Sequence, residues 1–159
     1  MRSRSAFGSL ALFGLLAAFG PSAFADPPQD ACALLSSAQV SSAVGVAIGA
    51  GTYVTPTFKK TCTWQASSPT PGGANTITLN ISSQIGFDAG KRAAIAGAGT
   101  AKVTPAGVGD DSYFLEIGTQ AGLMVKKGAV FLKFEVYGGG LAKEEAIEKA
   151  LAQQVLPKL

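Results

Sequence analysis

The chain has 159 residues, a formal net charge of +3 and no histidine. Histidine is the usual general base near neutral pH and a common zinc ligand, so its absence argues against Ser-His-Asp catalysis, Cys-His catalysis and the usual zinc sites. The small net charge argues against nucleic-acid binding, which needs lysine and arginine clustered on one face.

The N-terminus has the pattern of a cleavable secretory signal peptide over residues 1–25. A positively charged start precedes an apolar stretch at residues 7–19, and Ala23 and Ala25 are the small residues that a signal peptidase recognises. A retained membrane anchor is the alternative, but it needs about 20 apolar residues. We therefore expect cleavage before Asp26 and no transmembrane span in the mature chain.

Cleavage would leave residues 26–159 as a single domain. Because Arg2 and Arg4 are removed while every carboxylate stays, the net charge falls from +3 to +1. The expected location is the periplasm of a bacterium or the medium outside it.

Capping signals and hydrophobic periodicity predict the elements of the mature chain. Ser36 and Gln39 form a capping box, and Gly45 suits the left-handed cap at the end of that helix. Alternating apolar residues predict strands, as at Ile77, and apolar residues four apart predict the last helix, as at Ile147. The predicted elements are a helix at 37–44, strands at 58–65 and 75–83, a helix at 87–98, strands at 112–117, 122–125 and 129–137, and a helix at 141–155.

These elements predict an α+β fold. Short turns between consecutive strands imply antiparallel pairing, with residues 58–83 as a hairpin and a second hairpin turn at residues 126–128. Residues 49–56 fit either a loop or a weak strand. The expected architecture is an antiparallel sheet of about five strands flanked by two or three helices.

The two cysteines, Cys32 and Cys62, both lie in the predicted exported domain. In an oxidising compartment pairing is the default, and a disulfide would connect the segment before the first helix to the strand that contains Trp64. Their spacing favours a structural disulfide over a redox-active Cys-x-x-Cys pair or a metal site.

Carboxylates are the remaining candidates for catalysis, because no serine of the mature chain has the Ser-x-x-Lys spacing of a nucleophile. Asp110 and Asp111 lie in a glycine-containing turn, whereas Glu116 and Glu135 lie on predicted strands and would have to converge on a cleft. Turn and surface roles explain these residues better than a catalytic pair does. The sequence thus predicts no catalytic residues, no metal ligands and no cofactor.

Three tyrosines, Tyr53, Tyr113 and Tyr137, form the candidate binding surface. Aromatic rings with a polar tip suit partner or ligand contacts, although their positions among apolar strand residues fit core packing as well.

Several short motifs occur in a characteristic order: Cys32-Ala33-Leu34-Leu35, Val44-Gly45-Val46, Cys62-Thr63-Trp64 and Gly107-Val108-Gly109-Asp110, followed by an amphipathic helix. In this order they resemble a broad family of small bacterial exported proteins and lipoproteins of unknown function, best populated in actinobacteria. The resemblance implies paired cysteines and an antiparallel sheet flanked by helices, similar to the Mog1/PsbP-like sandwich, and no catalytic residues. Many members have a lipid-attachment cysteine, and this chain departs from that pattern.

The expected function is that of an exported, non-catalytic binding or accessory protein of the bacterial cell envelope, acting on an envelope protein or a small ligand. Two alternatives stay open. One is a carboxylate-dependent hydrolase of an envelope substrate, and the other is a self-associating structural envelope protein.

Overall fold

A computed structural model of the chain describes residues 28–97 and 101–159. The predicted signal peptide, residues 1–25, lies outside the described residues, so its cleavage stays a prediction. The helices are α1 (Ser37–Val44), α2 (Gln84–Ala96) and α3 (Leu141–Val155), with a 3₁₀ turn at Leu156–Lys158. The strands are β1 (Thr52–Thr55), β2 (Phe58–Gln65), β3 (Thr76–Ser83), β4 (Ala101–Pro105), β5 (Asp111–Ile117), β6 (Gln120–Lys127) and β7 (Val130–Tyr137).

The described strands form one sheet of seven, in the order β1-β2-β3-β7-β6-β5-β4, and every neighbouring pair is antiparallel. Two meanders, β1 to β3 and β4 to β7, join where β3 pairs with β7 along its whole length. Helices α1 and α3 pack on one face of the sheet, which we call the first face. Helix α2 lies on the other, the second face, and leads from β3 to the far edge at β4.

The predicted α+β class is confirmed, but the prediction of about five strands is wrong, because the sheet has seven. The two further strands lie at the edges of the sheet: β4 was not predicted, whereas β1 lies within residues 49–56, which fit either a loop or a weak strand. Strand β1 has four residues, three of them exposed, and β4 ends in Pro105, so neither shows the apolar alternation of a half-buried strand.

The local signals at the helix ends are confirmed. Ser36 accepts from the backbone of Gln39, whose side chain accepts from the backbone of Ser36, and Gly45 takes the left-handed conformation with φ of 83°. Helix α2 begins at Gln84 rather than at residue 87. Its predicted last residue, Ala98, lies outside the described residues.

The first face holds the main core, in which Trp64 of β2 and Phe134 of β7 are fully buried under α1 and α3. The predicted disulfide is confirmed, with the Cα atoms of Cys32 and Cys62 5.1 Å apart. It joins the segment before α1 to β2. Gly51 passes so close that an added Cβ would lie 2.6 Å from the Cys62 sulfur, so the chain needs glycine there.

The second face holds a smaller cluster beneath α2, built around Phe87. The Phe87 ring lies 5.3 Å from the Tyr113 ring and 5.5 Å from the Phe131 ring, centroid to centroid. Two ion pairs also tie α2 to the sheet, Lys91 with Asp111 at 2.7 Å and Lys126 with Asp88 at 3.3 Å. This helix covers only part of the second face.

Candidate functional site

An uncharged polar surface occupies the part of the second face formed by β2 and β3. Alternate residues of these strands point away from the core, and the antiparallel register places them side by side. They are half-buried, apart from the exposed Gln65, and none of them belongs to the two clusters packed beneath the helices. We call this surface the polar platform and define it by Thr61, Thr63, Gln65, Thr76, Thr78 and Asn80.

Hydrogen bonds between strands order part of the polar platform. The Asn80 side-chain amide donates to the hydroxyl of Thr61 at 2.6 Å, and the hydroxyls of Thr63 and Thr78 are 3.5 Å apart. A hydroxyl is both donor and acceptor, so each retains capacity for a further partner. The platform therefore offers a fixed array of donors and acceptors without formal charge.

Strand β7 borders the polar platform with a charged pair and an aromatic ring. Lys133 lies opposite Asn80 and Glu135 opposite Thr78, and the Lys133 ammonium is 2.8 Å from the Glu135 carboxylate. Tyr137 follows at the strand end, with 37% of its surface exposed. Desolvation, and then the negative charge of Glu135, raise the pKa of Tyr137 above its ordinary value.

Beyond this border a hollow of about 100 Å³ opens on the second face. Gly122 of β6 pairs with Glu135 and lies in the lining, where an added Cβ would be 3.5 Å from side-chain atoms of Glu135 and Met124. Apolar atoms of Leu115 and Met124 line one side, and Tyr137 and the charged pair line the other. The hollow therefore has one apolar wall and one polar wall.

Two buried glutamates lie behind the hollow, on the first face. The β6–β7 register extends to Gly122 opposite Glu135, and beyond it α3 supplies acceptors to the strands. The N–H of Ala121 donates to Glu144 at 3.2 Å, and that of Val136 donates to Glu148 at 3.0 Å.

Glu148 differs chemically from every carboxyl that the sequence analysis singled out. Burial raises its pKa to about 9, because the hydrogen bond from Val136 only partly offsets the loss of water and the charge of Glu144 adds to it. Its second oxygen has no hydrogen-bond partner among the described residues. At neutral pH Glu148 is therefore a neutral acid, and its full burial keeps it from touching a ligand.

A second hollow, of about 450 Å³, lies between α2 and strands β4 and β5. Small residues of α2, among them Gly90 and Ala93, form one wall. Leu115 and Ile117 line both hollows and connect them, and Ile117 is 55% exposed. An apolar strip therefore continues from the first hollow toward α2.

The structure does not bring the three predicted tyrosines together. Tyr113 is buried beneath α2, where desolvation raises its pKa. Tyr53 pairs with Cys62 and so lies on the first-face side of the edge strand, where its hydroxyl donates to Asp30 at 2.8 Å. Tyr137 alone borders the second-face hollow. A binding role for these residues stays a prediction.

The four carboxylates singled out for catalysis are all in ion pairs. Asp110 pairs with a lysine and accepts the N–H of Gly128 at 2.7 Å, and this bond, followed by the lysine, lowers its pKa. Asp111, Glu116 and Glu135 each pair with a lysine within 2.8 Å. Only Glu135 borders the hollow.

The glutamates Glu144 and Glu148 were missed by the sequence analysis. They lie four residues apart on α3 and share the helical stripe of Leu151 and Val155, which are buried. Two acidic residues on an apolar stripe of a predicted helix are the signal that could have identified them.

Comparison with protein-family models, curated proteins and solved structures found no match. Within residues 28–97 and 101–159, no cluster of three or more metal-ligating side chains occurs. No helix of these residues is long and apolar enough to cross a bilayer.

Proposed function

We propose that the chain is an exported, non-catalytic binding or accessory protein of the bacterial cell envelope. The observation that supports it best is the open part of the second face, where the polar platform adjoins a hollow with an apolar wall. Binding sites of small ligands typically combine an apolar concavity with a few fixed polar groups. The Cys32–Cys62 disulfide supports export, because such bonds persist in oxidising compartments.

The hydrolase alternative needs a carboxyl of raised pKa that a substrate can touch. Glu148 has the raised pKa but is fully buried, whereas Glu116 and Glu135 are reachable but paired with lysines. These positions favour binding over catalysis.

The edge strands argue against the alternative of a structural protein that self-associates by pairing its sheet with another. A register shift between Tyr53 and Thr55 interrupts β1, and Lys102 and Pro105 lie on β4. Bulges, lysine and proline on edge strands oppose pairing with another sheet.

In-cell photo-crosslinking tests the proposal. A photoreactive residue in place of Thr78 should give covalent adducts with an envelope component, because Thr78 lies on the polar platform. The same residue in place of Lys149, on α3, is the matched control and should give none of these adducts. Identical adducts from both positions, or none from either, would contradict binding through the second face.

Catalysis has its own test. If the purified mature protein turns over an envelope substrate and Glu116→Gln or Glu135→Gln abolishes the turnover, the hydrolase alternative replaces the proposal.

A further inference from the structure

We propose that the polar platform and the adjoining hollow bind a neutral oligosaccharide that contains N-acetylated amino sugars. This inference deepens the proposed function and rests on it, since it names the ligand class of the same surface.

The polar platform matches the hydrogen-bonding character of a sugar. Saccharide hydroxyls are donors and acceptors at once, as are the threonine hydroxyls and the side-chain amides of Asn80 and Gln65. Thr52, Thr63 and Thr78 form a row across three adjacent strands, repeating at about 4.8 Å, the spacing between paired strands. An extended chain of sugar rings can contact such a row at several points.

The charge of the surface selects against charged ligands. The six platform residues bear no formal charge, and the bordering Lys133 and Glu135 neutralise each other. A phosphate, an acidic peptide or a nucleic acid would lack an unpaired cation on this surface. A lipid bilayer would meet threonines where insertion needs large apolar side chains. A polar, uncharged ligand is the class that remains.

The border residues add what a sugar ring needs beyond hydroxyl contacts. The exposed ring of Tyr137 offers an apolar face with a polar tip, which suits the C–H face and the hydroxyl rim of a pyranose. The hydroxyl of a tyrosine is protonated at neutral pH, so it can donate as well as accept.

The size and lining of the hollow indicate which substituent of the sugar ring would occupy it. Its volume of about 100 Å³ leaves room for a small substituent such as an acetamido group. The methyl group would contact Met124 and Leu115. At the rim, Glu135 can accept from the acetamido N–H, and Lys133 can donate to its carbonyl oxygen. A hydroxyl in place of the acetamido group would leave the apolar wall without a partner.

Amide-resolved NMR titration of the mature protein with two trisaccharides tests this inference. The probes are triacetylchitotriose, which has acetamido groups, and cellotriose, which has hydroxyls in their place. Triacetylchitotriose should shift the amides of β2, β3 and β7 at millimolar concentration and bind about tenfold more tightly than cellotriose. Equal affinity for the two would overturn the acetamido assignment, and no shift with either would overturn the inference.

Two variants locate the contact. Tyr137→Ala should weaken triacetylchitotriose binding by about tenfold, whereas Tyr53→Phe, on the other face, should leave it unchanged. Circular dichroism confirms that each variant is folded. Equal binding by Tyr137→Ala and the unaltered protein would overturn the assignment. Adducts from Thr78 without saccharide binding would refute the ligand class while the binding function stands, whereas failure of both tests would refute both.

Discussion

The two faces of the sheet are formed by the same strands but differ in how far helices cover them. On β7, every second residue points into the main core under α1 and α3: Val130, Leu132, Phe134 and Val136. The residues between them point to the second face, and they end with Tyr137. The first face is covered and apolar from β2 to β5. The second is covered where α2 lies, and elsewhere it presents hydroxyls, amides, an ion pair and the apolar wall of the hollow. Stability therefore comes mainly from one face, and part of the other face stays open.

The helices show the same contrast. Helix α3 contributes a stripe of buried residues to the main core and directs Lys143 and Lys149 outward. Helix α2 buries Phe87 alone and directs Ile85 and Ile95 outward. It is held by a small aromatic cluster and by ion pairs, so it contributes less to the free energy of unfolding.

Truncation of one phenylalanine on each face should give the largest difference. Phe134→Ala removes a fully buried ring from the main core and should lower the free energy of unfolding by about 3 to 5 kcal/mol. Phe131→Ala removes a half-buried ring from the second face and should cost about 1 to 2 kcal/mol. Urea denaturation measures both. Equal losses would show that the faces do not differ in stability as described.

The disulfide should have the next largest effect, and it belongs to the first face. Its loop spans 30 residues, and closing such a loop in the unfolded chain is worth about 3.6 kcal/mol. Cys32→Ala combined with Cys62→Ala should therefore lower the melting temperature with little change in the folded contacts. Thiol labelling gives a direct check, since modification of both cysteines in the native exported protein would mean that the pairing is wrong.

The buried Glu148 should make stability depend on pH. Its pKa rises from 4.5 in the unfolded chain to about 9 in the folded protein, so the folded state binds the proton more tightly. Below the unfolded pKa the carboxyl is neutral in both states. As the pH rises toward 9, the unfolded state gains from ionisation and the folded protein loses stability. Each pH unit between the two pKa values costs about 1.4 kcal/mol, so Glu148→Gln should remove a loss that approaches about 5 kcal/mol at pH 8.

Glu145→Gln is the matched control for Glu148→Gln. Glu145 lies on the same helix but is not fully buried, so its replacement removes a nearby carboxyl and keeps the buried one, and the change of slope should be smaller than for Glu148→Gln. Thermal denaturation from pH 4 to pH 9 measures both variants. If Glu148→Gln keeps the slope of the unaltered protein, the carboxyl is ionised in the folded state.

The first face could be predicted from the sequence because its signals are local. The capping box of Ser36 and Gln39, the alternation around Ile77 and the spacing of Ile147 depend only on neighbours along the chain. The same alternation also predicted that one side of β3 is polar. The disulfide followed from the compartment and from the presence of only two cysteines.

The candidate site could not be predicted, because it depends on strand order. Threonines of β2, β3 and the border residues of β7 meet only because β3 pairs with β2 on one side and with β7 on the other. The hollow lies where Gly122 of β6 is paired with Glu135 of the neighbouring strand β7. The three tyrosines are separated by the same topology, since an aromatic residue on a strand gives no indication of which neighbours it will have.

Replacement of the exposed isoleucines of α2 should have the smallest effect on the free energy of unfolding. The same variant tests whether the protein self-associates through α2. Ile85 is 81% exposed and Ile95 is 66% exposed, so replacing both with serine removes little buried area. Isoleucine and serine have similar helix propensities, and the free energy of unfolding should change by less than about 0.5 kcal/mol. Sedimentation should show a monomer for both the unaltered protein and the variant. If instead the unaltered protein is a dimer that the two serines dissociate, then α2 is an interface between copies of the chain, and the self-associating alternative is favoured over binding through the second face.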